Sequence, residues 1–399
     1  MECITGAGGV THPIGWQACG VFAGIKASAE DLAVLYTELP ATVAGVFTRN
    51  AVQAAPVRWC RALVQRGMAQ GVVINSGCAN ACTGAEGVTA NARVADAAAS
   101  ALGVSPEMVA ICSTGTIGKK LPVEKIAAAL PLAVQALTPD GGESAARAIM
   151  TTDTVPKQAG ASFRVDGMTV RVGGMAKGAG MIAPNLATML AFITTDAAVP
   201  AADLQVCLGA AVERSFNRIT IDGDTSTNDT VLLMANGASG VALDATHPAW
   251  AAFCEAVRYV AAELARLIVK DGEGATRFIT ITAKGAVNAA DALLVARAIA
   301  NSMLCKTAWF GGDPNWGRVV CAAGYAGAKL DPDLLDVSFD ELMAVRAGQP
   351  VAAFADLETI VARPAFEISV DLHLGAAEET VYTCDCSYDY VRINAEYMT

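Results

Sequence analysis

Short apolar runs of strand length alternate along this chain with longer stretches of helical spacing, and that alternation restricts it to the α/β class. Strand-like runs bounded by turn residues are Thr42–Thr48, Val72–Asn75, Val109–Ser113, Thr169–Val172, Leu190–Thr194 and Val231–Ala235. Phe278–Ala283, Val319–Ala322, Phe366–Leu372 and Thr380–Thr383 follow. Helix-like runs are Ala90–Ala101, Val123–Leu137, Ala202–Arg214, Pro248–Val269 and Ala289–Met303. The last has Asn288 as its N-cap and an apolar face of Ala292, Val295, Ala296, Ile299 and Met303. A strand ending at Gly285 just before it sets a domain boundary near Lys284–Asn288.

At 399 residues the chain is long enough for two or three domains. Its 53% hydrophobic and 17% charged content can fill a large core and excludes a disordered chain. The net charge of −11 gives no bulk attraction to nucleic acid or to an anionic membrane, but suits small cationic or zwitterionic substrates. Met1–Gly20 lacks a basic flank followed by an apolar run, so no signal peptide is expected. Apolar stretches elsewhere are interrupted before membrane-spanning length. The twelve cysteines, from Cys3 to Cys386, are expected as free thiols in a reducing cytosol. Neither Cys78 with Cys82 nor Cys384 with Cys386 has a His or a second pair at finger spacing, so no metal is expected.

Two motif-like segments fail on closer reading. Gly178–Ala183 fits G-x-G-x-x-A, but Pro184 and a new strand at Leu190 leave no room for the helix of a dinucleotide site. The polar run Asp222–Asp229 (DGDTSTND) opens like a calcium loop, yet has Thr227 where that loop needs Gly and Leu233 where it needs Glu. We read it as structural support. The three histidines, His12, His247 and His373, have no nucleophile or acid beside them. A chain poor in histidine can still run acyl chemistry on a threonine whose own α-amine, freed by cleavage, serves as base. Lys177–Thr188 (KGAGMIAPNLAT) fits that device: a cation, flexible glycines, a turn at Pro184-Asn185, then Thr188 opening a buried strand. On these residues alone, Thr188 also fits an ordinary strand start.

The segment closely resembles the cleavage and nucleophile motif of the ornithine acetyltransferase family (bifunctional glutamate N-acetyltransferase), and the resemblance runs the length of the chain. It includes Gly8–Thr11, Ala23–Lys26, Ala44–Thr48, Val52–Pro56, Asn75–Gly84 (NSGCANACTG) and Cys112–Gly118 (CSTGTIG). It continues through Ser215–Thr220, Asp222–Asp229, Lys306–Ala308, Gly312–Arg318 (GDPNWGR) and Tyr388–Thr399. Cys78 departs from it, standing where the family has a second Asn; a weak donor there implies a lost polar contact. Cys384 and Cys386 make the tail richer in cysteine than the family pattern.

The resemblance implies an αββα sandwich shared with self-processing aminopeptidases in residues 1–285, and a smaller C-terminal α/β domain in 286–399 whose tail returns to the site. It implies self-cleavage between Ala187 and Thr188, giving chains 1–187 and 188–399. Thr188 would then take acetyl from N2-acetylornithine and pass it to glutamate in a ping-pong reaction of arginine biosynthesis. Its new amine, with an ordinary pKa of about 7.7–8.0, suits general-base duty. Thr114 and Gly115 map to the oxyanion hole, and Thr154, Lys177, Thr188, Glu273, Asn394 and Thr399 to substrate binding. On residues alone, the ordinary reading comes first: a solvated loop charge for Lys177, a solvent-facing turn acid for Glu273 and a plain strand end for the Thr114 turn, while Thr154 also fits a helix exit. No resident cofactor is implied; acetyl-CoA stays open as a second donor. The implied partners are the small-molecule substrates and the two cleaved chains, two of each in a heterotetramer, with no nucleic acid or membrane, in the cytoplasm. Two rivals remain at this stage: a self-processing aminopeptidase or amidase of the same fold, and a non-catalytic amino-acid-binding descendant.

Overall fold

The computed structural model describes residues 8–183 and 189–396, together with the backbone of the strand Glu2–Thr5. The chain packs as two compact units. The first runs up to Asn217 and takes in Asp224–Ile268; among the described residues the second comprises Arg218–Gly223 and those from Val269 to Glu396.

Strands of the first unit are β1 (Glu2–Thr5), β2 (Trp16–Val21), β3 (Leu32–Phe47), β4 (Met68–Cys78), β5 (Val109–Thr116), β6 (Lys157–Val165), β7 (Met168–Lys177), β8 (Leu190–Thr195) and β9 (Thr230–Ala235). Its helices are α1 (Ala55–Arg66), α2 (Gly84–Leu102), α3 (Val123–Gln135), α4 (Gly142–Ala148), α5 (Ala201–Glu213) and α6 (Trp250–Lys270). The strands hydrogen-bond in the order β1-β6-β7-β8-β9-β3-β4-β5, with β2 alongside β3. β3 reaches both halves of this sheet. Its first part pairs with β2 and β4, its last part with β9, and its register against β4 shifts between Tyr36 and Ala41.

The two halves face each other. Alternation along the strands sends Leu35, Ile74 and Cys112 into one core with Met175, Phe192 and Leu232 from the other half. The intervening residues Val34, Val73 and Ile111 pack outward against Val94 of α2 and Ile126 of α3. On the far side, a side chain at Gly174 of β7 would run into Val260 and Leu264 of α6. The unit is therefore layered αββα. Every residue of β8 and β9 is buried, as strands covered on both faces must be.

The second unit holds β10 (Phe278–Ala286), β11 (Asp336–Phe339), β12 (Leu342–Arg346), β13 (Gln349–Pro350), β14 (Ala365–Asp371) and β15 (Ala377–Cys384). Its helices are α7 (Ala289–Ala300), α8 (Met303–Phe310), α9 (Trp316–Gly324), α10 (Phe354–Val361) and α11 (Tyr388–Glu396). The sheet order is β13-β12-β11-β14-β10-β15, with β10 parallel to β14. Asn288 caps α7 as its sequence requires, accepting from the Asp291 N–H, and Val295 and Ile299 pack onto Ile279 and Ile281.

Three expectations shift. Val319–Ala322 is not a strand but lies in α9, where Asn315 caps the helix and Val319, Ala322 and Ala323 form its buried face. Ala289–Met303 is not one helix: it breaks at Asn301, and Ser302 caps α8 by accepting from the Cys305 N–H. The units divide near residue 269 rather than at 285/286. Gly285 marks a register shift of β10 against β15, not a boundary, since β10 is a central strand of the second sheet.

Candidate active site

β4 and β5 run parallel, so the family-like runs at their ends lie side by side: Asn75 opposite Ser113, Ser76 opposite Thr114, Gly77 opposite Gly115. Gly115 has φ +127°, and a Cβ there would sit 2.4 Å from the Gly77 carbonyl carbon and 2.6 Å from the Cys78 nitrogen. Only glycine allows this approach. Hydrogen bonds lock the turn. The Ser113 hydroxyl donates to Asn75 Oδ1 at 2.6 Å, and Asn75 Nδ2 to the Cys78 carbonyl at 2.9 Å. From the start of β9, Asn228 Nδ2 donates to the carbonyls of Ala79 (2.7 Å) and Ser113 (2.8 Å). Thr114 is buried within this frame. The buried Cys78 thiol has a contact of its own, 3.3 Å from the Lys119 carbonyl, and burial pushes its pKa up.

Lys177 ends β7 and is 3% exposed, so it is not a solvated loop charge. Its Nζ donates to Thr151 Oγ1 at 2.8 Å and lies 3.7 Å from Asp153 Oδ2. Asp153 also accepts from Lys157 Nζ at 2.6 Å and from the Gly178 N–H at 2.6 Å. Burial by itself would raise the Asp153 carboxyl; the Lys177 and Lys157 ammoniums override it and hold the group well below the usual carboxylate range. Two buried cations share one buried anion. Thr154 is exposed beside Asp153, in the loop between α4 and β6.

Leu190 of β8 pairs with Lys177 on one side and with Thr230 on the other, so the ends of β7, β8 and β9 adjoin. In sequence the next residue stands out only within the run Asp222–Asp229, read as structural support. Asp229 is fully buried and accepts from the Met189 N–H at 3.0 Å through Oδ1. Asn228 and Asp229 together therefore tie the Thr114 turn to the start of β8. Asp153 and Lys157 went unread, because Asp and Lys four apart usually form an exposed surface pair.

In the second unit, Glu273 is 8% exposed and accepts from Asn394 Nδ2 of α11 at 2.7 Å, so it is not a solvent-facing turn acid. Ala187, Thr188 and Thr399 lie outside the described residues.

The fold and these strand ends define an α/β enzyme whose polar groups gather where the strands of a layered sheet terminate. The ArgJ family pattern matches residues 17–399. A curated relative from Symbiobacterium thermophilum, the arginine biosynthesis bifunctional protein ArgJ, is 49% identical over 98% of this chain and 99% of its own length. A crystal structure of the ArgJ protein from Bacillus halodurans is 41% identical with a TM-score of 0.50, covering 52% of this chain and 98% of that one. A chain of the Mycobacterium tuberculosis ornithine acetyltransferase, crystallised with ornithine, is 47% identical with a TM-score of 0.43, over 46% of this chain and 98% of that one. The chain belongs to the ArgJ family.

Proposed function

We propose that this acetyltransferase of arginine biosynthesis moves the acetyl group of N2-acetylornithine to glutamate through an ester on Thr188. Cleavage between Ala187 and Thr188 frees the amine that then acts as general base. The Thr188 hydroxyl attacks the acetyl carbonyl, ornithine leaves, and glutamate resolves the ester. Each half-reaction passes through an oxyanion, for which the Thr114 hydroxyl and the Gly115 N–H are the donors. Lys177 pairs with the substrate α-carboxylate. Thr154, and in the second unit Glu273 and Asn394, take part in substrate binding, and Thr399 completes the set.

The observation that carries this reading is the frame around Thr114: a turn that only glycine permits, bonded through Asn228 to the strand whose next residue anchors Met189, directly after Thr188. Oxyanion donors work only when held rigid before the charge develops. Chain lengths support cleavage. The Bacillus halodurans chain aligns almost entirely with about half of this one, as cleavage near the middle would leave it. The reaction needs no resident cofactor; acetyl-CoA enters as a second donor to be assayed. We propose a cytoplasmic heterotetramer of two 1–187 and two 188–399 chains; among the described residues no helix is long and apolar enough to cross a membrane.

Expression of the intact chain should give two fragments on a denaturing gel, the second beginning at Thr188. Thr188→Ala should remain one chain and transfer no acetyl group. A new terminus at any other residue removes Thr188 from the mechanism, and a single active chain removes cleavage from it.

A further inference from the structure

Lys26 is half-buried in the loop between β2 and β3. A Cβ added at Gly77 would sit 3.1 Å from Lys26 Cγ, and one added at Gly115 would sit 2.7 Å from Gly77 Cα. The Lys26 stem therefore lies against the turn that carries Thr114. Its ammonium reaches on to the loop after α4, where Nζ donates to the Met150 carbonyl at 3.1 Å. The next residue, Thr151, accepts from Lys177 Nζ at 2.8 Å, and Asp153 accepts from Lys157 Nζ at 2.6 Å. Three ammoniums thus meet on one short stretch, and its one buried carboxylate, Asp153, is shared by Lys157 and Lys177. Among the described residues Lys26 has no ion-pair partner, and its Nζ, which can donate three hydrogen bonds, donates one. The Asp31 carboxylate is taken up by the N–H groups of Ala23, Ile25 and Lys26 at 2.6, 2.6 and 2.9 Å. Burial pushes the Lys26 pKa down, opposed from further off by Asp31, Asp153 and Glu30. An ammonium that has lost part of its water and gained no anion is costly, unless an anion enters beside it.

The two amino acids of the proposed reaction share their α-carboxylate and differ at the far end. Ornithine ends in an ammonium, glutamate in a second carboxylate. We propose that Lys26 is an acceptor-specificity residue: its ammonium receives the side-chain carboxylate of glutamate while Lys177 holds the α-carboxylate. This rests on the reading of the reaction as acetyl transfer to glutamate. Both ammoniums hang from adjacent residues, Met150 and Thr151, so one small dianion can meet the two together. The charges match as well: three ammoniums share a single ion-paired carboxylate, and glutamate brings two more.

The test is steady-state acetyl transfer by the full-length, processed enzyme, from N2-acetylornithine to glutamate or to glutamine. Glutamine has the shape of glutamate without the second charge. Wild type should favour glutamate by about 10–100-fold in kcat/KM, the range expected for a hydrogen bond to a charged group. Lys26→Met keeps the stem against Gly77 and removes the ammonium. It should raise the KM for glutamate by about 10–100-fold, hold the KM for N2-acetylornithine within about threefold, and bring the two acceptors to similar kcat/KM. Lys26→Arg should retain the preference for glutamate. A Lys26→Met enzyme that still prefers glutamate as wild type does overturns the proposal. So does one whose KM rises equally for donor and acceptor, which is the signature of a general defect or of a hold on the shared α-carboxylate. If Lys26→Met fails to fold, Lys26→Gln, which keeps a donor for the Met150 carbonyl without the charge, takes its place. Wild type that uses glutamine as readily as glutamate contradicts the proposal without any variant. Wild type that acetylates neither acceptor overturns the reading of the reaction instead.

Discussion

A buried carboxylate between two lysines is stable only while all three groups keep their charges. Asp153→Asn leaves the Lys157 and Lys177 ammoniums buried without their anion, and should cost about 3–5 kcal/mol of stability in urea unfolding. The pH dependence follows from the depressed Asp153 pKa. Its contribution is complete above the unfolded value of about 3.9 and is lost as pH falls through the folded one, so wild type should weaken below about pH 4 with a slope that Asp153→Asn lacks. Equal slopes would show that the cluster does not govern acid stability. The oxyanion role proposed for Thr114 predicts a different signature. Thr114→Ala should lower kcat by about 100-fold, with a smaller change in KM, in a steady-state assay with N2-acetylornithine and glutamate. At this scale the sequence singled out Thr114, Gly115 and Lys177 only through the resemblance of the motifs that contain them. It hid Asp153 and showed Asp229 only as the end of a polar run read as structural support, because nothing in a linear pattern distinguishes a buried carboxylate from a solvated one.

The turn that carries Thr114 depends on the ends of β4 and β5. Gly115→Ala puts a methyl against the Gly77 and Cys78 backbone and forces a φ that alanine resists. Thermal melts should show about 1–3 kcal/mol of lost stability, and kcat should fall with it as the Thr114 turn is displaced. An alanine variant with wild-type stability and rate would mean that the strands part without consequence. Elements were legible in proportion to their signals. The strands β7, β8, β9, β10 and β14 appeared in sequence as short buried runs with clear turn residues on both sides. α7 began where Asn288 announced it. α9 was misread because Val319–Ala322 is too short for periodicity to separate strand from helix, and the deciding cap, Asn315, sits inside a motif read for other reasons. The break at Asn301–Ser302 was hidden because Ser302 caps α8 while the apolar pattern runs on to Met303.

Over the whole molecule, the αββα layering follows from which side each strand residue faces, and the family resemblance had implied it before the layers were seen. The division near residue 269 was not legible, because β10 joins the second sheet through partners at 365–371 and 377–384, far along the chain. The account turns on one covalent event, so that event offers the most direct test. Processed protein is incubated with N2-acetylornithine alone, quenched in acid and weighed by mass spectrometry. The 188–399 fragment should gain one acetyl group, mapped to Thr188, while 1–187 stays unchanged; glutamate added before the quench should remove the label and yield N-acetylglutamate. Measurable acetyl transfer with no label on the 188–399 fragment would contradict the account, because the acetyl group would then pass directly between substrates.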